Sequence, residues 1–326
     1  MLDKKVLAAI DAVRKVHGKA SALRLTEAAI HSEVDEVIPT GIDALDWYGF
    51  QCGGLPVGRV SEVYSAEGMG KTSFIMQTLA SCQAHGGIAV LVETEHSADK
   101  DRLETFGVDI DELVVFEPES LEQGFGQCGT FLEALPAGIG PVYIAWDSLA
   151  ATMVEEELKE GPDGKPSTPG VMARVMSQRL KRLLPLLASK RAHLQFVNQT
   201  RQKIGVMFGN PETTPGGNAL KFYASIRFRI GSGTKIGDKT SGDEIGRESK
   251  IKITKNRFGF PHREVSTRLI YTEGWDNDWT NLRLAKSWGL LPKNSSDATK
   301  AEEALNGVAW SPVTAANLVA KKDKET

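Results

Sequence analysis

Residues 60–72 read VSEVYSAEGMGKT, and residues 73–85 continue as SFIMQTLASCQAH. The opening run, 60–64, is short, largely apolar and bounded by turn residues, the pattern of a buried strand. Residues 65–72, SAEGMGKT, end in the Gly-Lys-Thr of a phosphate-binding loop, and the spacing of 73–85 predicts a helix. In such strand–loop–helix units the backbone N–H groups and the helix N-terminus wrap phosphates. Lys71 then reaches the outer phosphates, and Thr72 offers its hydroxyl to Mg²⁺. The motif asks for Gly where this chain has Ser65; Gly68 supplies backbone freedom nearby.

Outward from this unit the pattern alternates. Apolar runs at 88–92, 113–116, 142–146 and 193–197 are separated by longer segments of helical spacing such as 178–187, where Pro185 is expected to bend or shorten the helix. Continuous apolar strands alternating with helices predict an α/β fold around a mostly parallel sheet covered on both faces. Strand ends carry polar groups. Asp147 follows 142–146, where a carboxylate holds a Mg²⁺ shell, often through water. Glu95, just past 88–92, is a candidate base for an attacking water. Asn198 and Gln199 close another strand and lead into a glycine-rich loop, where a strand-end amide is suited to report the state of the terminal phosphate.

Two loops are expected at 155–170 (EEELKEGPDGKPSTPG) and 200–217 (TRQKIGVMFGNPETTPGG). The second carries Ile204, Val206, Met207 and Phe208, and a long loop with apolar residues is usually functional. Residues 222–271 read as strands. Beyond Gly274, Trp275, Trp279, Trp288 and Trp310 fall among short helical pieces. At the start, Val6, Leu7, Ile10 and Val13 form a helical stripe too small to bury itself, so it must pack on the core or on another subunit. Three regions are therefore expected: residues 1–35, a core over 36–274, and a small C-terminal piece over 275–326.

No apolar run approaches the roughly 20 residues that span a bilayer. Cys52, Cys82 and Cys128 have neither zinc-ligand nor CxxC spacing, so reduced thiols in the cytoplasm are expected. The net charge of −3 conceals a segregation. Residues 171–230 hold eleven Lys and Arg against the single acid Glu212, whereas 93–122 hold eleven Asp and Glu against Lys100 and Arg102. Phosphate binding depends on local potential, so such a basic stretch suits nucleic acid inside an acidic protein.

With the loop GVMFGNPETT (205–214) followed by GGNALKFYAS (216–225), the chain resembles the RecA-type recombinases of bacteria and phages. The likeness extends through TGIDALD (40–46), GGLPVGR (53–59), ETEH (93–96), FGVDID (106–111), WDSLAA (146–151), ARVMSQ (173–178) and KNR (255–257). It runs in order over roughly residues 1–274. The last fifty residues do not resemble the family's usual C-terminal domain, which suggests a phage-encoded or specialised member.

The resemblance implies a RecA-like ATPase core with an N-terminal helix and strand, ATP and Mg²⁺ as cofactors, and helical filaments with nucleotide between subunits. Nucleotide contacts fall on Ser65, Ala66, Glu67, Gly68, Met69, Gly70, Lys71, Thr72 and Ser73, joined by Asp99, Arg102 and Asp147. Glu95 becomes the catalytic carboxylate and Gln199 the γ-phosphate sensor. Lys255 and Arg257 match a pair that reaches the neighbouring subunit's ATP; Arg257 stands where bacterial members usually have Lys. Arg102 takes the place where a Tyr commonly stacks on adenine. The DNA-facing set is Arg174, Ser177, Lys181, Arg201, Lys203, Ile204, Met207, Gly216, Gly217 and Asn218. Basic groups and glycine N–H groups would hold phosphates, while Ile204 and Met207 wedge between bases.

The expected partners are single- and double-stranded DNA without sequence preference and further copies of the chain; single-strand-binding and loading proteins are compatible with it, and a membrane is not. Two alternatives stay open. One is a ring-type helicase on the same core, the other a mediator that binds ATP without turnover.

Overall fold

The computed structural model describes residues 4–18, 34–95, 98–160, 170–202, 212–238 and 240–307, in two units, Met1–Asp35 and Glu36–Thr326. The first unit contributes the helix α1 (Lys4–His17). No residue of α1 is buried, and Arg14, Lys15 and His17 in its last turn complement the helix dipole.

The second unit opens with β1 (Val37–Ile38) paired antiparallel to β2 (Leu55–Pro56), with a π-helical turn, Ala44–Gly49, between them. The alternating segment follows: β3 (Val60–Ser65), α2 (Lys71–Ala84), β4 (Ile88–Glu93), α3 (Lys100–Thr105), β5 (Val114–Phe116), α4 (Leu121–Ala134) and β6 (Val142–Asp147). Next come α5 (Glu155–Glu160), α6 (Val171–Ser189) and β7 (Ala192–Gln199). A two-stranded ladder, β8 (Arg201–Gln202) with β9 (Glu212–Thr213), precedes α7 (Ala219–Tyr223). The rest is β10 (Ile226–Ile230), β11 (Lys235–Gly237), β12 (Glu244–Asn256), β13 (Glu264–Ile270), β14 (Gly274–Trp275), α8 (Asn277–Ser287) and α9 (Ala298–Asn306).

The main sheet has the order β14-β13-β12-β10-β3-β7-β6-β4-β5, with β11 paired to β12. Strands β10 through β5 run parallel, and β12, β13 and β14 extend the sheet antiparallel. Helices cover both faces. One cluster packs Phe74, Ile75 and Leu79 of α2 on Val63, Val197 and Phe228; the other packs Phe125 of α4 and Leu180 of α6 on Ile144 and Phe196. Burial on both faces is why the parallel strands read as unbroken apolar runs.

Three expectations need correction. Residues 155–160 form a helix, because three glutamates in its first turn suit the dipole; the remainder, 161–169, lies outside the described residues. Helix α6 runs through Pro185 to Ser189 rather than being shortened there. Met176, Leu180, Leu183 and Leu187 stay buried on one face, and that packing outweighs the hydrogen bond lost at Pro185. Phe222 and Tyr223 belong to or end a helix rather than a strand. Among the C-terminal tryptophans Trp275 is buried, Trp279 lies under Arg268 and Arg283, and Trp288 meets Tyr48 edge-on. Trp310 is outside the described residues.

His193 of β7 is completely buried, with its ring nitrogens 2.7 Å from Ser61 Oγ and 2.7 Å from Pro56 O. Burial pulls the imidazole down from its ordinary 6.5 to about 4. Between those values the unfolded chain binds a proton that the folded chain does not. Stability present above pH 6.5 is therefore lost as pH falls through 4, by about 3 kcal/mol in full. Chemical denaturation at pH 7 and pH 4 should show this loss in the native chain and a smaller one in His193→Gln; equal losses in both would exclude His193 as the cause.

Candidate functional site

The parallel register gathers polar groups at the carboxyl ends of the central strands, where ligands of open α/β sheets bind. Ser65 at the end of β3 lies beside Gln199 of β7, and Glu93 at the end of β4 lies beside Asp147 of β6. Between β3 and α2 the loop turns on Gly68 and Gly70, at φ +69° and +91°. Gly70 is doubly constrained, because an added Cβ would lie 2.7 Å from Leu269 and 2.9 Å from Trp275. Ser65 remains in the strand without positive φ, so no glycine is required there.

These elements line one cleft of about 210 Å³. Glu67, Gly68, Met69, Gly70, Lys71, Thr72 and Ser73 come from the loop and helix start; Glu95, Arg102, Asp147 and Gln199 join them. Lys71 folds back, its Nζ 2.8 Å from Ala66 O and 3.2 Å from Ser65 Oγ. Desolvation lowers its pKa, against the pull of Asp147, Glu95 and Glu67. Thr72 Oγ1 donates to Asp147 Oδ2 at 2.8 Å. Burial pushes Asp147 up to about 6, and the charges of Glu95 and Glu93 add to the rise. Asp99, in contrast, is exposed, accepts from Asp101 N in capping α3, and is not among the cleft residues.

Several residues of the site have no signal in the sequence. Ser148 Oγ donates to Glu95 Oε1, and Glu95 N donates to Glu93 Oε1 at 2.9 Å, so the exposed carboxylate is held from two sides. Thr94 Oγ1 ties the segment to Asp147 O and Ser148 O at 3.1 and 2.9 Å. Leu269 and Tyr271 also line the cleft, although nearly 200 residues separate them from the loop. Only the sheet order brings them there.

A second group lies along α6. Arg174, Ser177 and Lys181, spaced three and four apart, share one helix face; Arg174 and Lys181 are exposed. The turn before α7 seats on the same helix, because a Cβ at Gly217 would lie 2.9 Å from Ala173. Gly217 and Asn218 are exposed there, whereas Gly216 is buried beside Leu149. Arg201 is exposed on the β8–β9 ladder; Lys203, Ile204 and Met207 lie outside the described residues. Asn198 connects the two groups. Its Nδ2 donates to Glu62 Oε1 and Pro215 O at 3.0 and 3.1 Å, while its Oδ1 accepts from Gln199 N at 3.1 Å.

Lys255 and Arg257 are not among the residues lining their own chain's cleft. Lys255 Nζ donates to Lys221 O at 2.6 Å and Phe222 O at 3.2 Å, and Arg257 Nη2 to Phe222 O at 2.8 Å. Desolvation, then the charges of Arg257 and Arg227, lowers Lys255 to about 8.

Residues 4–276 match the family model described as the RecA N-terminal domain. Among curated proteins the chain is 40% identical to a protein named Protein RecA from Methylococcus capsulatus, covering 90% of this chain and 82% of that one. It is 39% identical to Protein RecA from Chlorobium limicola, over 93% and 83% of the two chains. The figure for Protein RecA from Heliobacterium modesticaldum is 38%, over 88% and 80%.

Proposed function

The chain belongs to the RecA family of recombinases, and from that premise we propose that it hydrolyses ATP in the cleft beside β3 and couples it to helical assembly on single-stranded DNA, homologous pairing and strand exchange. The observation that carries this reading is the convergence of Lys71, Thr72, Glu95, Asp147 and Gln199 on one cleft, with Asn198 joining it to the glycine turn.

In this reading the loop N–H groups hold the triphosphate, and Lys71 exchanges its contacts with Ser65 and Ala66 for phosphate oxygens. Mg²⁺ fits beside Thr72 and Asp147, reaching the carboxylate through water. The two oxygens are already 2.8 Å apart, and a carboxyl crowded by Glu95 and Glu93 regains its charge beside a cation. When bound, the ion offsets charge on the phosphates. Glu95, steadied by Ser148 and Glu93, orients and deprotonates the attacking water. Gln199 meets the terminal phosphate, and through Asn198 its position is passed to Pro215 and the DNA loop.

Arg174, Lys181, Arg201 and Lys203 supply phosphate contacts, with Ser177, Gly217 and Asn218 beside them and Ile204 and Met207 as wedges. Such contacts carry little sequence information, so the partner strand provides the base code. The partners are single- and double-stranded DNA and further copies of the chain. The cytoplasm is the proposed compartment: all three cysteines are free, and burial pushes each thiol up to about 12. Among the described residues no helix is long and apolar enough to cross a membrane.

The test is assembly on a fluorescent single-stranded oligonucleotide with a slowly hydrolysed ATP analogue. Helical filaments should be visible by microscopy. Affinity should fall by about 10³-fold or more between 50 and 200 mM salt if each site engages six or more phosphates. Closed rings, binding indifferent to nucleotide, or a flat salt titration would overturn the proposal.

A further inference from the structure

Resting on the reading of the cleft as a nucleotide site, the inference concerns which base it takes. The phosphate loop and the polar groups of Glu95, Asp147 and Gln199 account for one part of the lining. The remaining wall consists of Arg102, Leu269 and Tyr271. With phosphates fixed at the loop, this wall is what a nucleobase meets.

Its two planar side chains are held in place. Arg102 Nη2 donates to Ser73 Oγ at 2.9 Å, and its guanidinium carbon lies 6.0 Å from the centre of the Phe106 ring. Tyr271 donates its phenol hydrogen to Glu244 Oε1 at 2.6 Å. Glu244 is fixed in turn by Lys235 at 2.7 Å and Arg247 at 3.1 Å, and Arg247 Nη1 lies 3.3 Å from Met69 Sδ in the loop itself. Two flat groups anchored in this way form a slot for a flat ring.

A guanidinium does more than fill a stacking position. Its face is drawn to an electron-rich ring, and its edge carries donors that match guanine O6 and N7. Adenine offers N7 but sets an amino donor where guanine has O6, so the edge contact is at best half made. A pyrimidine presents a smaller ring to either wall. Asp99, an acceptor suited to the adenine amino group, lies outside the lining and accepts from Asp101 N. Stacking and edge contact both point the same way.

We propose that Arg102 makes this a purine slot that takes guanine at least as well as adenine, so that the chain hydrolyses GTP as well as ATP. Arg102 is then the residue that sets base specificity. The reaction is unchanged: water adds at the γ-phosphorus, the bond to the β–γ bridging oxygen breaks, and GDP, phosphate and a proton leave.

The experiment measures phosphate release by the full chain, with Mg²⁺ and single-stranded DNA, from ATP, GTP and CTP in turn. It is repeated with Arg102→Ala and Arg102→Tyr, and fluorescent analogues report binding. The native GTP-to-ATP ratio of kcat/KM should be one or more, with CTP at least about tenfold poorer. Both variants should lower that ratio about tenfold, the factor that about 1.4 kcal/mol of base discrimination produces. The ratio, not the absolute rate, is the readout, because a merely structural role for Arg102 would move both purines together. A native ratio below one, or a ratio that stays within twofold in both variants, overturns the inference while leaving the nucleotide site intact. Failure of every triphosphate to bind overturns the site itself, and the inference with it.

Discussion

Lys71→Ala should lower DNA-stimulated ATP turnover by about 10³-fold while the folded chain survives. The fall follows from electrostatics: a fixed cation beside the transferring phosphoryl group stabilises charge that grows in the transition state, and removing one such donor costs about 10²–10³-fold or more. Survival of the fold follows from what Lys71 does when the cleft is open. Its ammonium is desolvated and satisfied only by Ser65 and Ala66, whose oxygens face the same cleft and return to water once it is gone. Deleting a partly desolvated charge and leaving no buried partner unpaired is among the milder core substitutions. Initial rates of phosphate release and a thermal melt on the same preparation check both halves. Turnover within tenfold of the native chain would remove Lys71 from the site, and loss of cooperative melting would show that it is structural.

Much of the core was legible because its physics is local. A parallel strand buried on both faces has to be apolar along its length, so 60–64, 88–92, 142–146 and 193–197 stand out, and each lies within an observed strand. The polar residue that ends such a run marks the carboxyl edge of the sheet. For this reason Ser65, Asp147 and Gln199 were found from the sequence, and register then sets them side by side. What was not legible depends on strand order. Leu269 and Tyr271 terminate a strand that looks like any antiparallel strand, and nothing near them in sequence points to a cleft built around residue 71. Ser148 is similar: a serine after a strand-end aspartate reads as turn chemistry until its hydroxyl is seen on Glu95. The Phe222–Tyr223 pair misled because a few aromatic residues have no measurable period. Their conformation is set by α7 closing onto α6, a tertiary contact.

Lys255 and Arg257 lead to the second large effect. Replacing both with Ala should cost about 10³-fold or more in turnover, the scale of a cation supplied in trans to a phosphoryl transfer. Within one chain neither residue is part of the cleft lining, and both cations are spent on the carbonyl end of α7. That helix directly follows the glycine turn proposed for DNA, so the groups that hold the cations move with the loop that grips the strand. A cation that serves its own active site cannot be replaced by a neighbour; one that serves the adjacent subunit can. The decisive measurement therefore mixes two inactive proteins, the Lys255→Ala/Arg257→Ala double variant and Glu95→Gln. In randomly mixed filaments about one interface in four joins an intact Glu95 to intact cations, so turnover should return to about a quarter of the native rate. Filaments that form normally on single-stranded DNA yet recover nothing on mixing would place both cations in the service of their own chain, and the nucleotide could no longer be assigned to the junction between subunits.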